Sequence, residues 1–246
     1  MAITANPGLH HSLAKEFGHG SRGGEMPSDV DLQTDAVTGR APRRSGFYRN
    51  GFKRLLDILV ILAAIPVVLP IVLGLAFLVA RDGGQPFYSQ MRIGKNGKTF
   101  RMWKLRSMVR DADLKMQEYL DANPEARAEW DTTQKLRHDP RITEFGHFIR
   151  RSSLDELPQL WNVLRGDMSL VGPRPMMVCQ RDLYPGKAYY LLRPGLTGYW
   201  QTAGRNRTTF EARSEYDEAY EERLSLGTDV GILARTVGVV LKGTGC

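Results

Sequence analysis

Two adjacent carboxylates, Asp155 and Glu156, follow two arginines in the run Arg150-Arg151-Ser152-Ser153-Leu154-Asp155-Glu156-Leu157-Pro158. Carboxylates set beside fixed cations at a helix start are candidates for catalysis. The structural alternative is a capping box, with Ser153 capping a helix and Glu156 reaching back from its third position. Pro158 weighs against it, because a helix begun at Ser153 would place the proline where an intrahelical donor is already needed. A helix start at Asp155 or Glu156 fits better and would set a carboxylate at the positive end of the helix. On residue types alone, carboxylates near helix starts are more often structural than catalytic.

Two further segments carry groups suited to phosphate or nucleotide. In Gly166-Asp167-Met168-Ser169-Leu170-Val171-Gly172-Pro173-Arg174-Pro175 one arginine stands between two prolines. Fixed proline backbone would aim the guanidinium, whose planar fork suits phosphate oxygens, although a surface turn with an incidental arginine reads the same by composition. The segment Arg193-Pro194-Gly195-Leu196-Thr197-Gly198-Tyr199-Trp200-Gln201, continuing to Gly204-Arg205-Asn206, mixes turn residues with aromatic, amide and guanidinium groups. It fits a loop facing a nucleotide or sugar, and equally a hairpin whose Trp200 packs into the core.

The chain that must position these groups has 246 residues and a formal net charge of +7. That length holds one sizeable catalytic domain with appendages, and the charge favours anionic partners without choosing among headgroups, nucleotides, polyprenyl phosphates and nucleic acid. Cys179 and Cys246 are the only cysteines. Their separation, with no Cys or His at ligand spacing, supports neither a disulfide framework nor a zinc site. Residues 1–46 are expected to form a disordered polar tail with no cleavable signal peptide.

An amphipathic lead-in begins near Phe47, and the stretch Ile58 to Ala80 carries no formal charge. As an unbroken helix it would reach roughly 35 Å, enough to cross a bilayer. Pro66 and Pro70 predict a break or sharp kink near its middle. Lys and Arg flank it on both sides, which suits a re-entrant hairpin over residues 47–81 better than a simple span. Residues 82–246 read as the catalytic core: short extended segments near Pro86 to Tyr88 and Thr99 to Met108, two helices divided at Pro124, an amphipathic helix over Ile142 to Arg151, and helices over Phe210 to Leu241. The fold class is therefore α+β and mostly helical, a membrane-embedded broken helix carrying a cytoplasmic core.

Taken in order from about Lys53 onward, these segments resemble the monotopic polyprenyl-phosphate phosphoglycosyl transferases, a group of bacterial sugar transferases. The run SSLDELPQLWNVLRGDMSLVGPRP carries most of the resemblance, with KLRSM, DPRIT, RPGLTGYWQ and GRN at corresponding places. The chain looks like the small catalytic-core form of the exopolysaccharide type. Where many relatives have Ser-Pro at the membrane break, this sequence has Ile65-Pro66 and a second proline. The segment Asp111 to His138 is longer than in the smallest relatives.

The resemblance implies transfer of hexose 1-phosphate, from UDP-galactose or UDP-glucose, to undecaprenyl phosphate with release of UMP. It implies that Asp155 is the nucleophile, forming a phosphosugar-aspartyl intermediate, and that Glu156 with Asp155 holds Mg²⁺. Arg150 matches a phosphate-binding position and Pro173, Arg174 and Pro175 match the Pro-Arg-Pro motif near the nucleotide, while Lys104, Arg106 and Arg205 are further phosphate or uridine candidates. The expected partners are the UDP-sugar, undecaprenyl phosphate and membrane phospholipid at the bacterial inner membrane, with no nucleic acid; a homo-oligomer is left open. The rivals are a membrane-anchored protein that only binds anionic lipid or nucleic acid, and a glycosyltransferase that releases UDP.

Overall fold

The computed structural model describes residues 46–133, 136–204 and 210–241. The tail expected over residues 1–46 lies outside the described residues except for Gly46, and so does Arg205.

A π-helical turn, Tyr48–Phe52, leads directly into helix α1, Lys53–Ala80, long and apolar enough to cross a membrane. Pro66 and Pro70 lie inside α1, which runs through both, so the expected interruption is not a break in the helix. Each proline deletes a single rung of the ladder. The carbonyls of Leu62 and Pro66 lose their donors one turn apart on the same face, while neighbouring rungs hold the helix together.

Both ends of α1 are fastened to the same core. At the first end the buried Asp57 accepts hydrogen bonds from Ser169 Oγ at 2.8 Å and the Leu170 amide at 3.2 Å. Arg54 donates there to the carbonyls of Val163 and Leu164. At the other end Leu75, Ala76 and Val79 pack with Leu105 and Ile149, and Arg106 donates to the Val79 carbonyl at 3.1 Å. The turns between expose Leu62, Val67, Leu69 and Leu73.

The core follows the expected alternation of short strands and helices. Strands β1, Phe87–Ile93, and β2, Thr99–Leu105, form an antiparallel hairpin in which Tyr88 faces Lys104 and Arg92 faces Phe100. Then come α2, Ala112–Ala122, and α3, Pro124–Thr133, divided at the proline as expected because its missing donor is harmless in a first helical turn. Their Met116, Leu120 and Ala126 make a separate small apolar cluster. Helix α4, Glu144–Arg151, begins two residues later than predicted, because Thr143 caps it by accepting from the Gly146 amide at 2.8 Å.

Helix α5, Gln159–Arg165, precedes strand β3, Ser169–Val171, and after the short α6, Ala188–Leu191, strand β4, Gly195–Thr197, pairs parallel with β3. Two of the motif segments therefore meet side by side, not as a hairpin. Gly172 and Gly195 sit where any Cβ would strike the neighbouring backbone, which explains glycine in both motifs. Helices α7, Arg213–Glu222, and α8, Leu226–Leu241, close the fold. Buried Asp229 gathers Tyr48 Oη at 2.7 Å, Tyr220 Oη at 2.6 Å and Lys53, joining α8 to the entry of α1.

Candidate active site

The two carboxylates do not start a regular helix. Ser153 takes a left-handed conformation, φ 57°, and makes no side-chain cap, so the capping-box alternative fails. Leu154–Glu156 is a single 3₁₀ turn and α5 begins only at Gln159, after Pro158. The expected start at Asp155 or Glu156 is thus displaced. The chain reverses at Ser153, a conformation unusual for a residue with a side chain, and the two acids ride a tight turn between α4 and α5.

That turn sets the dyad against β2. Lys104 Nζ donates to Glu156 Oε1 at 2.7 Å and lies 3.5 Å from Asp155 Oδ2. Asp155 is only 8% exposed. Its carboxyl is pushed above the usual aspartate range, chiefly by burial, with Lys104 opposing, Glu156 reinforcing and Arg150 opposing the shift. A weakly hydrated carboxylate next to an ammonium is suited to nucleophilic attack on a phosphoryl centre, where hydration would otherwise have to be stripped away.

Arg150, on the last turn of α4, adds positive charge near Asp155, and its side chain forms no hydrogen bond or ion pair among the described residues. Arg106 sits elsewhere. Its guanidinium is engaged by Asp82 at 2.5 and 2.8 Å and by the carbonyls of Gln85, Val79 and Met108, so it clasps the end of α1. Pro173 and Pro175 are buried with Arg174 exposed between them. The Arg174 guanidinium lies 5.8 Å from the centre of the Trp200 ring.

Asn162 was not singled out by sequence, yet it fixes the geometry. Fully buried on α5, its Oδ1 accepts the Trp103 amide at 3.0 Å, while its Nδ2 donates to the Arg101 carbonyl at 2.7 Å and to Asp167 at 3.1 Å. It therefore locks the helix that follows the dyad to the strand that carries Lys104. The one signal for it in the sequence is an amide set among apolar neighbours in Leu160-Trp161-Asn162-Val163-Leu164.

No cluster of three or more His, Cys, Asp or Glu suited to a metal occurs among the described residues. Asp155 and Glu156 nevertheless fit Mg²⁺, which takes one or two carboxylates and completes its octahedron with water and substrate phosphates. Such an ion would supply charge neutralisation at the phosphoryl oxygens.

The bacterial sugar transferase family model matches residues 48–243. The chain is 49% identical over 195 residues to a UDP-galactose-lipid carrier transferase of Erwinia amylovora, covering 78% of this chain and 41% of that protein. It is 45% identical over 207 residues to the undecaprenyl-phosphate galactose phosphotransferase of Salmonella typhimurium, covering 83% and 43% respectively. The exopolysaccharide production protein ExoY of Sinorhizobium fredii is 42% identical over 210 residues, 85% of this chain and 92% of that protein. The chain thus spans about two fifths of the length of the first two relatives, 41% and 43%, and nearly all of the third. With the family match running from the turn before α1 to the end of α8 and enclosing the Lys104–Asp155–Glu156 cluster, the chain belongs to the bacterial sugar transferase family.

Proposed function

We propose that this protein is a phosphoglycosyl transferase that moves hexose 1-phosphate from a UDP-hexose to undecaprenyl phosphate, releasing UMP and forming undecaprenyl-diphosphate-hexose. The observation that carries the reading is the buried Asp155 turned toward Lys104 beside Glu156. Asp155 attacks the sugar-linked phosphorus, the bond from that phosphorus to the nucleotide breaks, and UMP leaves with the electron pair. The phosphosugar is then held on Asp155 until the phosphate of undecaprenyl phosphate attacks the same phosphorus and frees the carboxylate. Lys104 and Arg150 lower the repulsion between carboxylate and anionic donor, and Glu156 with Asp155 holds Mg²⁺. Two relatives are named for galactose, so UDP-galactose is the first donor to try, with UDP-glucose beside it.

In this reading α1 enters and leaves the same leaflet of the bacterial inner membrane, with the core on the cytoplasmic side. Support comes from the fastening of both its ends to one core, because a helix crossing the bilayer keeps only one end against a domain on one side. The site is then held at headgroup level, where the acceptor's phosphate lies while its polyprenyl tail stays in hydrocarbon.

The test is UMP release by protein in nanodiscs with Mg²⁺, undecaprenyl phosphate and a panel of UDP-sugars. Release from one sugar, lost in Asp155→Asn, is the expected result. Release of UDP would replace the reading with simple glycosyl transfer, and no release from any donor would replace it with a binding protein.

A further inference from the structure

A cavity of about 510 Å³ opens where the far end of α1 meets the core. Leu78 and Val79 of α1 line one side, and Met108 and Phe145 line the other. Leu78 continues the exposed apolar surface that Leu73 and Phe77 begin. Arg106 frames the cavity: its guanidinium donates to the carbonyls of Val79 and Met108, both at 3.1 Å, and also engages the carboxylate of Asp82, which shares the lining. Arg81, also in the lining, is exposed and makes no ion pair among the described residues.

Two routes lead from this cavity to the dyad. Arg106 is two residues beyond Lys104 on extended chain, about 7 Å away at roughly 3.3 Å per residue. Leu154, the residue before Asp155, packs in the same apolar cluster as Val79 and Phe145. Another hollow of similar size lies between Phe47, Phe52 and Leu55 at the entry of α1, and its lining includes no residue of β2, α4 or the dyad's turn. A lipid acceptor has to bring its phosphate to Asp155 while its chain stays out of water. That chain leaves hydrocarbon as apolar as the cavity, so entering gains it little hydrophobic energy, and the cavity acts through shape and position.

We propose that this cavity receives the isoprenoid units next to the phosphate of the polyprenyl phosphate acceptor, and so directs that phosphate toward Asp155. Arg81 draws the anionic headgroup to the mouth. Arg106 is a positioning residue that holds the α1 side and the Met108 side together. The assignment rests on the proposed acceptor reaction, but it concerns where the lipid lies and does not require turnover.

The experiment has a binding arm and a turnover arm, both on full-length protein in nanodiscs. In the first, a short polyprenyl phosphate carrying a diazirine on its first isoprenoid unit is photolysed and the labelled peptides are identified by mass spectrometry. Labels should fall on the peptides containing Leu78 or Phe145, in wild type and in Asp155→Asn alike, and undecaprenyl phosphate should compete them away where an equal amount of phosphatidylglycerol does not. In the second, Leu78→Trp and Met108→Trp fill the cavity. Each should lower kcat/KM for undecaprenyl phosphate at least about fivefold and leave kcat/KM for the UDP-hexose within about twofold, whereas a merely structural defect would lower both together. Leu73→Trp, the same change on α1 outside the cavity, should alter neither. Labels elsewhere, equal competition by phosphatidylglycerol, or unchanged acceptor kcat/KM in both filled variants would overturn the assignment. Wild-type protein that labels at the cavity yet releases no UMP would instead remove the proposed reaction and keep the lipid site.

Discussion

Lys104 Nζ lies 2.7 Å from Glu156 Oε1 and 3.5 Å from Asp155 Oδ2, so one ammonium serves two adjacent carboxylates presented by a single 3₁₀ turn. Without it, the two carboxylates would meet the proposed anionic diphosphate donor without this ion-pair partner. Lys104 is the residue that makes the dyad compatible with its proposed substrate.

Replacing Lys104 with Ala should therefore lower kcat/KM by about 10²–10³, the scale for losing one preorganised group that stabilises developing charge. Lys104→Arg should recover part of that loss, because charge is kept while the point geometry is not. Steady-state UMP release checks both. Loss of less than threefold in the alanine variant would remove Lys104 from the machinery.

The pH profile should carry the same signature. Asp155 must be ionised to attack, and burial raises its folded value, so the acid limb of kcat/KM should lie above the ordinary aspartate range of about 4. Lys104 lowers that value and Glu156 raises it. Lys104→Ala should shift the limb to higher pH and Glu156→Gln should shift it to lower pH. Profiles at fixed Mg²⁺ concentration decide; shifts in the same direction for both variants would refute the coupling.

Asn162→Leu should be damaging without touching substrate. The Trp103 amide and the Arg101 carbonyl would lose their side-chain partner in a fully buried place, at about 1–3 kcal/mol for each group left unsatisfied. Beyond that lower melting temperature, β2 would be released from α5, and kcat should fall more than tenfold in the fraction that remains folded. A variant with normal kcat and reduced stability alone would restrict Asn162 to scaffolding.

How much of this was legible in the sequence divides along local and non-local lines. Pro124 and the run Ile142 to Arg151 located helices because their signals act within a turn or two of chain. The dyad was legible as a pair of acids beside cations, but its 3₁₀ turn was not, since that depends on Ser153 adopting a left-handed conformation. Arg106 and Lys104 looked alike in sequence, two residues apart on one extended segment. Only the fold shows that one meets the dyad and the other meets Asp82. The parallel pairing of β3 with β4 joins motifs more than twenty residues apart, and no periodicity within either segment encodes it.

Asp217 should impose a measurable pH dependence on stability. Its carboxyl, enclosed beside Tyr184, is raised by burial from 3.8 to about 7. The folded state then binds a proton more tightly than the unfolded chain. Stability from this group is complete below pH 4, declines as pH rises between 4 and 7, and is flat above, with a total on the order of a few kcal/mol. Asp217→Asn should raise the melting temperature at pH 8 by several degrees and flatten the difference between pH 5 and pH 8, as read by intrinsic fluorescence in detergent. An identical pH slope in variant and wild type would show that Asp217 does not titrate in this window.

The topology of α1 can be read from its two flanks. Gly46 and Arg81 are both exposed, one before the helix and one after it. In a background with Cys179 and Cys246 replaced by Ser, Gly46→Cys and Arg81→Cys should each react with a membrane-impermeant maleimide in inverted vesicles, and neither should react in intact spheroplasts. The reasoning is geometric: Asp57 is held by Ser169 and Leu170 at one end while Val79 is held by Arg106 at the other, and one core cannot grip both ends of a helix that crosses to the far side of the bilayer. In the proposed re-entrant reading, Pro66 and Pro70, each removing a rung on the same face, set the side on which α1 would bend. Replacing both prolines with Ala should restore two backbone hydrogen bonds and stiffen the helix, so that it either pulls the Val79 end from the core or opposes insertion. Reduced membrane retention and lower UMP release together, with unchanged labelling at Gly46→Cys, is the expected pattern. Labelling of the two positions from opposite faces in the unmodified helix would establish a spanning segment and remove the re-entrant reading.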